Sequence, residues 1–228
     1  MERRGLLFVV SAPSGTGKTT LCKELLALVP GLRHSVSCTT RQPRPGELDG
    51  REYWFMDESR FQQMIQRNEF AEWARVYGHL YGTPRQALLE MMEKGTDVLV
   101  EIDIQGARQI KKKFDDAVHI YVLPPSIEAL RARLLQRGGD SGEEIERRIQ
   151  KAREELWSYR EYYYIVKNED MKQALKQLES IVVAERTKTK RLDLAWFEQN
   201  FIRERDKEAA GGSHKVARNE KKERTIHD

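Results

Sequence analysis

The chain has 228 residues, of which 39% are hydrophobic and 33% charged, and its formal net charge is +4 at pH 7. A chain of this length can bury a sizeable core as one domain with insertions, so no disulfide or structural metal is required to hold the fold. The mild basic excess suits small anionic substrates as well as nucleic acid, and it decides little by itself.

The first predicted elements are a strand, a glycine-rich loop and a helix. Residues 6–10 form a continuous apolar run, which is typical of a strand buried on both faces. Residues 19–29 then place apolar side chains at helical spacing, and Pro30–Gly31 ends that helix. The glycine-rich loop therefore lies between a buried strand and an amphipathic helix.

Residues 33–81 show a different pattern. Short polar and aromatic stretches occur there at residues 35–40, 52–56 and 72–76, and they alternate with turn-rich segments such as residues 43–50. One helix, at about residues 60–67, interrupts them. This pattern predicts a small, mostly antiparallel lobe rather than a strand–helix–strand unit.

The second half of the sequence alternates helices with apolar strands. In chain order we predict a helix opened by Thr83–Pro84 and ended by Gly95, strands at residues 98–103 and 118–123, helices at residues 126–137 and 143–162 around a break at residues 138–142, a strand at residues 164–166 and a final helix from Met171 to about Phe201. From Arg203 onward the residues are mainly charged or small and polar, which predicts a disordered or loosely helical tail.

Several classes of site and location are disfavoured. Cys22 and Cys38 do not have the spacing of a zinc site or a disulfide framework, and the five histidines are scattered without a paired metal-ligand pattern. The N-terminus lacks the long apolar stretch of a signal peptide, and residues 6–10 are far too few to span a membrane. We therefore expect a protein of the reducing cytoplasm.

The loop after the first strand reads A-P-S-G-T-G-K-T and has the features of a phosphate-binding loop. Its closely spaced backbone N–H groups form an anion-binding nest, and the N-terminus of the following helix adds its dipole. The lysine can reach the β- and γ-phosphates of ATP, and the last threonine can supply a hydroxyl to Mg²⁺. The strict pattern has glycine at position 12, where this chain has alanine. We predict that ATP and its Mg²⁺ are bound by Ala12, Pro13, Ser14, Gly15, Thr16, Gly17, Lys18 and Thr19.

Residues 37–53 read S-C-T-T-R-Q-P-R-P-G-E-L-D-G-R-E-Y and suggest a second anion site. Arg41 and Arg44 lie three residues apart in a proline-stiffened loop, and Tyr53 adds a hydroxyl. Paired guanidinium groups suit a phosphate dianion, because each offers two parallel N–H donors. A solvated basic loop is the alternative interpretation.

Taken with the phosphate loop, this segment resembles guanylate kinases, a branch of the P-loop nucleoside monophosphate kinases. The likeness covers about residues 5–186 and continues through N-E-F-A-E-W at 68–73, Y-G-T at 81–83, E-I-D-I-Q-G at 101–106, L-P-P-S at 123–126 and R-L-L-Q-R-G at 133–138. It implies an α/β fold with a parallel sheet flanked by helices. The implied parts are a P-loop kinase core (residues 1–34, 87–126 and 163–202), a small mixed antiparallel GMP-binding lobe (35–86) and a helical lid with its hinge helices (127–162), followed by the charged tail (203–228).

The resemblance also implies the roles of residues in the GMP-binding lobe. The GMP phosphate would be held by Arg41, Arg44, Tyr53 and Tyr81, and the guanine would be surrounded by Ser37, Glu72, Thr83 and Glu101. Guanine carries two adjacent donors, N1–H and the exocyclic amino group, and a carboxylate such as Glu72 can accept both. Adenine has no such pair, so a site of this kind can discriminate by as much as about 10⁴-fold.

Three of these residues have an alternative interpretation. Thr83 precedes a proline and is a good helix N-cap, so it can cap the helix as well as contact the base. Glu72 can be a solvated acid at a strand edge. Position 101 varies in the family between Asp and Glu, and Glu101 adds a methylene, which changes the reach of its carboxylate.

The resemblance assigns the transferring phosphoryl group to Lys18 and three lid arginines, Arg133, Arg137 and Arg148. Asn168 matches a position near the donor adenine, although Lys167 stands where an apolar residue or Asn is expected. Asp103, at the end of an apolar strand, would hold Mg²⁺ through water, together with Thr19. A strand-end acid with a structural partner is the alternative for Asp103.

The implied reaction is Mg²⁺-dependent phosphoryl transfer from ATP to GMP, and by extension to dGMP, in purine nucleotide metabolism and GMP recycling. The attacking phosphate oxygen is already anionic, so no general base is needed. We expect ATP and GMP as partners and neither nucleic acid nor a membrane, while the sequence indicates no oligomeric state. The alternatives are a non-enzymatic guanylate-kinase-like binding module, a P-loop kinase with another phosphorylated acceptor such as a ribose bisphosphate, and an RNA-binding protein.

Overall fold

The computed structural model describes residues 4–137, 141–191 and 194–202. These residues fall into two compact units, one ending at Arg186 and the other beginning at Thr187. In chain order the first unit contains β1 (Leu7–Ser11), α1 (Lys18–Leu28), β2 (Leu32–His34), β3 (Cys38–Thr39), β4 (Trp54–Phe55), α2 (Glu58–Gln66), β5 (Phe70–Val76), β6 (His79–Pro84), α3 (Arg85–Glu93), β7 (Asp97–Glu101), α4 (Ile104–Lys113), β8 (Val118–Leu123), α5 (Ile127–Arg137), α6 (Gly142–Leu156), a 3₁₀ helix (Trp157–Glu161), β9 (Tyr164–Lys167) and α7 (Met171–Arg186).

Five strands form a parallel sheet in the order β2-β7-β1-β8-β9. Their apolar runs are buried on both faces because helices cover the sheet on each side. Phe8 and Val10 point into a core shared with α1 and α7, whereas Leu7 and Val9 point into a core shared with α3 and α4. The α/β fold class with a helix-flanked parallel sheet is therefore confirmed.

The position of β1 determines where a ligand can bind. Its two neighbours are β7 and β8, so the chain leaves β1 for one side of the sheet and later returns to the other. In open parallel sheets, ligands bind beyond the carboxyl ends of the strands at such a switch point. The glycine-rich loop follows β1 at this point.

A second sheet has the order β4-β3-β6-β5 and contains both parallel and antiparallel pairs. Strands β5 and β6 form a hairpin, β3 pairs antiparallel with β6, and β3 pairs parallel with β4. Helix α2 closes one face, where the rings of Phe61 and Phe70 stack with centroids 4.4 Å apart. This sheet confirms the separate mixed lobe.

Helices α5 and α6 pack on each other through a small apolar cluster of their own. Its members are Leu130, Leu134, Ile145, Ile149 and Ala152. The break that we predicted between these helices, at residues 138–142, falls mostly on residues 138–140, which lie outside the described residues, as does the predicted tail at 203–228.

The structure corrects four sequence predictions. Helix α4 was missed, although Asp103 caps it by accepting a 2.9 Å hydrogen bond from the Gly106 N–H and three lysines form its last turn. Strand β2 was also missed, because it has only three residues. The helix predicted at 143–162 changes to 3₁₀ geometry after Leu156. The final helix ends at Arg186 rather than near Phe201, and the Arg186 guanidinium donates a 2.7 Å hydrogen bond to the buried Asp97.

The second unit is short as far as it is described. It contains a 3₁₀ turn (Thr189–Arg191), the one-turn helix α8 (Leu194–Phe197) and a π-helical turn (Glu198–Ile202). The rings of Trp196 and Phe201 meet edge to face with centroids 5.6 Å apart. Among all described residues, no helix combines the length and apolar composition needed to cross a membrane.

Candidate active site

A cavity of about 1000 Å³ opens at the carboxyl edge of the parallel sheet. Its wall combines the glycine-rich loop with the loop after β3, the β5–β6 turn and parts of α5 and α6. The two segments that the sequence analysis predicts to bind anions, far apart in sequence, therefore face one space. The predicted site residues that line it are Ala12, Pro13, Ser14, Gly15, Thr16, Gly17, Lys18, Thr19, Ser37, Arg41, Arg44, Tyr53, Glu101, Asp103 and Arg133.

The glycine-rich loop wraps around the N-terminus of α1. Gly15 and Gly17 have φ angles of 87° and 91°, in the left-handed region that glycine adopts readily. A Cβ at Gly15 would lie 2.9 Å from the Leu134 side chain, so α5 packs directly against the loop. Ala12 does not have a positive φ and is 8% exposed. The chain's departure from the strict pattern at position 12 is therefore sterically compatible with the loop.

Lys18 and Thr19 meet the acid at the end of β7. The Lys18 ammonium donates to the Ile102 carbonyl at 3.1 Å and lies 3.6 Å from the Glu101 carboxylate. The Thr19 hydroxyl donates a short hydrogen bond to the same carboxylate. The resemblance predicted that Glu101 contacts guanine, but in the structure its carboxylate contacts Lys18 and Thr19 at the start of α1.

Asp103 lies two residues after Glu101, at the same edge of the parallel sheet, and precedes α4. One carboxylate oxygen caps α4 and the other accepts a hydrogen bond from the Gln105 amide at 3.0 Å. Asp103 is therefore a strand-end acid with structural partners, as the alternative interpretation of the sequence expected. It also lines the cavity. No cluster of three or more His, Cys, Asp or Glu side chains that could hold a metal ion occurs within the described ranges.

The paired arginines of the predicted second anion site are both contacted by one acid. Glu47 accepts two hydrogen bonds from the Arg41 guanidinium, at 2.9 and 3.0 Å, and one from the Arg44 backbone N–H at 2.7 Å. Although burial opposes its ionisation, these contacts hold the pKa of Glu47 below its usual range. Sequence reasoning gave Glu47 no role, although it belongs to the P-G-E stretch of the matched motif.

Two tyrosines that the sequence analysis assigned to the same site lie next to Arg41 and to each other. The Arg41 guanidinium lies 5.4 Å from the centre of the Tyr53 ring, and the rings of Tyr53 and Tyr81 meet edge to face at 5.8 Å. Burial, followed by the charge of Glu101, raises the pKa of Tyr53 to about 12. Its hydroxyl therefore stays protonated at neutral pH and can donate a hydrogen bond.

Three polar side chains of the lobe form a buried chain that begins at Ser37, which lines the cavity, and continues behind the cavity wall. The Thr83 hydroxyl donates to Glu72 at 2.6 Å, and the Ser37 and Thr83 hydroxyls lie 3.4 Å apart. Glu72 is 3% exposed, and burial raises its pKa to about 7 despite the hydrogen bond from Thr83. The prediction that Thr83 caps α3 is wrong, because Thr83 lies in β6, the N-cap position is Pro84 and the Thr83 hydroxyl binds Glu72. The alternative of a solvated Glu72 is also excluded.

Gly106 creates the space for this carboxylate. A Cβ at Gly106 would lie 2.2 Å from one carboxylate oxygen of Glu72. Helix α4 therefore approaches β5 closely only because residue 106 has no side chain. The motif E-I-D-I-Q-G contains this glycine, but its contact with Glu72 could not be inferred from spacing.

The predicted lid arginines lie in different surroundings. Arg133 donates to the carbonyls of Thr16, at 2.8 Å, and Asn168, at 3.0 Å. The Asn168 side chain donates to the same Thr16 carbonyl at 2.7 Å. Arg148 lies against the ring of Tyr77, 4.8 Å from its centre, and not at the cavity wall. Helix α5 ends at Arg137, whose side chain is outside what the structure describes.

Among the cavity-lining residues that the sequence analysis missed are Tyr77, Lys151 and Glu155. Tyr77 lies at the turn of the β5–β6 hairpin, and Lys151 and Glu155 lie one turn apart on α6. Burial raises the pKa of Glu155, and Lys151 lies 3.6 Å from its carboxylate. The sequence did contain a signal for Lys151: it lies three residues after Arg148, and this spacing places both side chains on one face of a helix.

Comparison with known proteins relates these features to one family. The family profile described as guanylate kinase matches residues 4–185. A guanylate kinase of Geobacter metallireducens is 50% identical over 192 residues, covering 84% of this chain and 95% of the relative. One from Clostridioides difficile is 46% identical over 206 residues, covering 90% and 98%. The crystal structure of guanylate kinase from Anaplasma phagocytophilum superposes with a TM-score of 0.74 at 32% identity and covers 88% of this chain and 97% of that one.

Proposed function

The chain belongs to the guanylate kinase family and is an ATP:GMP phosphotransferase. From this premise we propose that the cavity of about 1000 Å³ holds both nucleotides during Mg²⁺-dependent phosphoryl transfer. The observation that carries this proposal is that the phosphate loop and the Arg41–Arg44 loop line the same space. Two polyanions bound there would meet with their phosphates facing each other. The products would be ADP and GDP.

We propose that the three structural parts have separate tasks. Residues 1–34, 87–126 and 163–186 would form the core that binds ATP, residues 35–86 the lobe that binds GMP, and residues 127–162 the lid. Residues 187–202, which the sequence analysis counted with the core, belong to the second unit. In this division the phosphate loop belongs to the core, and Arg133 belongs to the lid that packs on it. Asn168 would contact the adenine from the core side. Its side chain lies next to the phosphate loop, where it donates a hydrogen bond to the Thr16 carbonyl.

The phosphate of GMP would bind to the guanidinium groups of Arg41 and Arg44 and the hydroxyls of Tyr53 and Tyr81. Glu47 supports this role because it orients Arg41 by two hydrogen bonds and the Arg44 backbone by a third. A guanidinium held in this way retains N–H donors for a second anion. The protonated Tyr53 hydroxyl adds one further donor.

Guanine would be selected by Glu72 with the hydroxyls of Thr83 and Ser37. Thr83 binds one oxygen of the carboxylate and fixes its orientation. The ionised carboxylate can accept hydrogen bonds from guanine N1–H and the exocyclic amino group. A base without those donors would leave the remaining lone pairs of the buried Glu72 carboxylate without hydrogen bonds, and this penalty is the basis of the selectivity. The same contacts do not involve the ribose 2′-hydroxyl, so dGMP would also be a substrate.

The residues present fit a magnesium ion bound with ATP. The Thr19 hydroxyl and the Glu101 carboxylate lie side by side at the phosphate loop and offer the hard oxygen atoms that Mg²⁺ prefers. Asp103 lines the same edge and could hold the ion through water. When bound, the ion neutralises charge on the phosphates of ATP. With few protein ligands, most of its coordination would come from phosphate oxygens and water.

The side chains of the site then supply positioning and charge. Lys18 would bind the β- and γ-phosphates, and Arg133, Arg137 and Arg148 would stabilise the charge of the transferring group. No general base is needed, since the attacking oxygen of GMP is anionic at neutral pH. Water must be excluded to prevent hydrolysis of ATP, so we propose that the lobe and lid move onto the core when both nucleotides bind.

The proposal is tested by measuring ADP formation from ATP with GMP, dGMP, AMP, CMP or UMP as acceptor. We expect rapid turnover with GMP, slower turnover with dGMP and very little with the other three. Equal rates with AMP and GMP would contradict the role of Glu72. Lys18→Ala should lower kcat by about 10²-fold or more, whereas Lys176→Ala, on α7, should not change it.

A further inference from the structure

The turn of the β5–β6 hairpin meets helix α6 through one aromatic ring. Tyr77 occupies the turn with a φ of 49°, followed by Gly78 with a φ of 84°. The Arg148 guanidinium and the Lys151 ammonium each lie 4.8 Å from the centre of the Tyr77 ring. Both distances are within the range over which a cation is attracted by the electron-rich face of an aromatic ring.

The two cations are kept beside one ring by acids on the same helix. Glu144 lies 3.8 Å from Arg148, and Glu155 lies 3.6 Å from Lys151. These i,i+4 pairs offset the repulsion between the two positive charges. The ring contact is therefore compatible with both side chains in their charged forms.

The backbone at Tyr77 also supports a specific role for its ring. A bulky residue with positive φ is disfavoured, and glycine or asparagine would adopt this conformation more easily. The ring is only half-buried, with 45% of the residue exposed. Burial in a core therefore does not account for a tyrosine here, whereas its contact with the two cations does.

This contact joins the acceptor-binding strands to the lid. Strand β5 carries Glu72, strand β6 carries Tyr81 and Thr83, and the Tyr77 turn connects them. On the other side of the contact, α6 carries Arg148 and Lys151, and Lys151 lines the cavity. A shift of the turn would thus change the distance between the acceptor site and the lid cations.

We propose that Tyr77 is a positioning residue, whose ring fastens the acceptor hairpin to α6 and sets where Arg148 and Lys151 stand relative to the reacting phosphates. This inference rests on the proposed function, because it assumes that the acceptor lobe binds GMP and that Arg148 acts on the transferring group. Tyr77 itself does not touch the reacting atoms in this arrangement. Its effect is on the transfer step rather than on the binding of GMP to Arg41 and Tyr53.

The test compares Tyr77→Phe with Tyr77→Leu in the full chain. Both variants keep a bulky side chain at the same backbone position, but only phenylalanine keeps the aromatic face. We expect kcat with ATP and GMP to fall about tenfold in Tyr77→Leu, which corresponds to about 1.4 kcal/mol, with KM for GMP changed by less than about twofold. Tyr77→Phe should keep both constants within about twofold.

His79→Leu is the matched control, since it places the same leucine on the exposed part of the same hairpin. It should leave both constants unchanged, and thermal unfolding should show that all three variants fold like the parent. Full kcat in Tyr77→Leu, or an equal loss in Tyr77→Phe, would overturn the proposal. A parent enzyme that forms no ADP with GMP would instead refute the proposed function. Hydrogen exchange of the backbone amides in residues 75–80 would then still report on the ring contact. We expect faster exchange in Tyr77→Leu only. Equal exchange in both Tyr77 variants would contradict the ring contact.

Discussion

The hydroxyl of Thr83 donates a 2.6 Å hydrogen bond to the buried carboxylate of Glu72, directly across the β5–β6 hairpin. Burial is the main reason that the pKa of Glu72 rises to about 7, and the hydrogen bond only partly opposes it. The carboxyl that would read guanine therefore changes charge near neutral pH. Its ionised form is available for guanine, but the empty protein bears the cost of keeping that charge buried.

The pH dependence of stability should reveal this cost. The Glu72 carboxyl ionises near its usual 4.5 in the unfolded chain but only near 7 in the folded one. Between these values the folded state binds more protons, so its contribution to stability is lost as pH rises from about 4.5 to 7. We expect Glu72→Gln to be more stable than the parent by about 1–3 kcal/mol at pH 8, with the difference vanishing below about pH 4.5. Urea unfolding at several pH values measures this, and a difference that does not depend on pH would contradict the assignment.

Gly106→Ala should disturb Glu72 from the opposite side. A Cβ at residue 106 would lie 2.2 Å from the Glu72 carboxylate, so either the acid or α4 must move. Alanine favours a helix by about 1 kcal/mol over glycine, yet here we expect a loss of about 1–3 kcal/mol and a lower kcat/KM for GMP. Gly142→Ala, at the start of α6 with nothing within 4 Å, is the control and should not destabilise the protein. Denaturant titration and GMP kinetics give both readouts.

Arg41→Lys should weaken the binding of GMP. Lysine keeps the positive charge but cannot replace the fork of donors that binds Glu47 and would bind a phosphate. We expect KM for GMP to rise by about tenfold or more while KM for ATP changes little. The control is Arg75→Lys. Arg75 lies on β5 and forms an exposed ion pair with Glu58 of α2, so this substitution should change neither constant. An unchanged KM for GMP in Arg41→Lys would argue against the acceptor-phosphate site.

Thr19 offers a direct test of the magnesium site. Thr19→Val keeps the shape of the side chain but removes the hydroxyl that lies beside Glu101, whereas Thr19→Ser keeps the hydroxyl. We expect Thr19→Val to need a several-fold higher Mg²⁺ concentration for half-maximal activity and to lose about tenfold in kcat. Thr19→Ser should stay near the parent. Equal Mg²⁺ curves for the two variants would exclude a role of the hydroxyl.

Arg133→Lys should loosen the phosphate loop. One ammonium cannot keep the geometry of a guanidinium that donates to the carbonyls of both Thr16 and Asn168. We expect KM for ATP to rise about three- to tenfold and kcat to fall, because the loop is less well positioned. The control is Arg131→Lys. Arg131 lies on the exposed side of α5, the helix that carries Arg133, and pairs with Glu146 of α6. Similar effects of both substitutions would show that the result reflects α5 as a whole.

Local features of the sequence predicted the fold class well. A buried strand, a glycine-rich loop and a helix are contiguous, and apolar runs mark β7, β8 and β9 of the parallel sheet, although not the short β2. Helix α4 was missed because its middle is polar, although an Asp cap and a basic last turn were present. The last helix was predicted to reach about Phe201, whereas α7 ends at Arg186, whose guanidinium pairs with Asp97, 89 positions away in the sequence.

The sequence by itself determined the phosphate loop, the paired arginines after β3 and the family, since each rests on residues that are close neighbours in the chain. The tertiary structure decided which side chains meet: Glu101 with Thr19, Arg133 with the Thr16 carbonyl, and Tyr77 with α6. The roles of these residues in catalysis stay predictions. The physical reason is that parallel strands bring their carboxyl ends to one edge of the sheet, whatever the length of chain between them. Contacts between residues 70 to more than 110 positions apart therefore depend on the order of the strands and on helix packing. Local sequence spacing does not encode either.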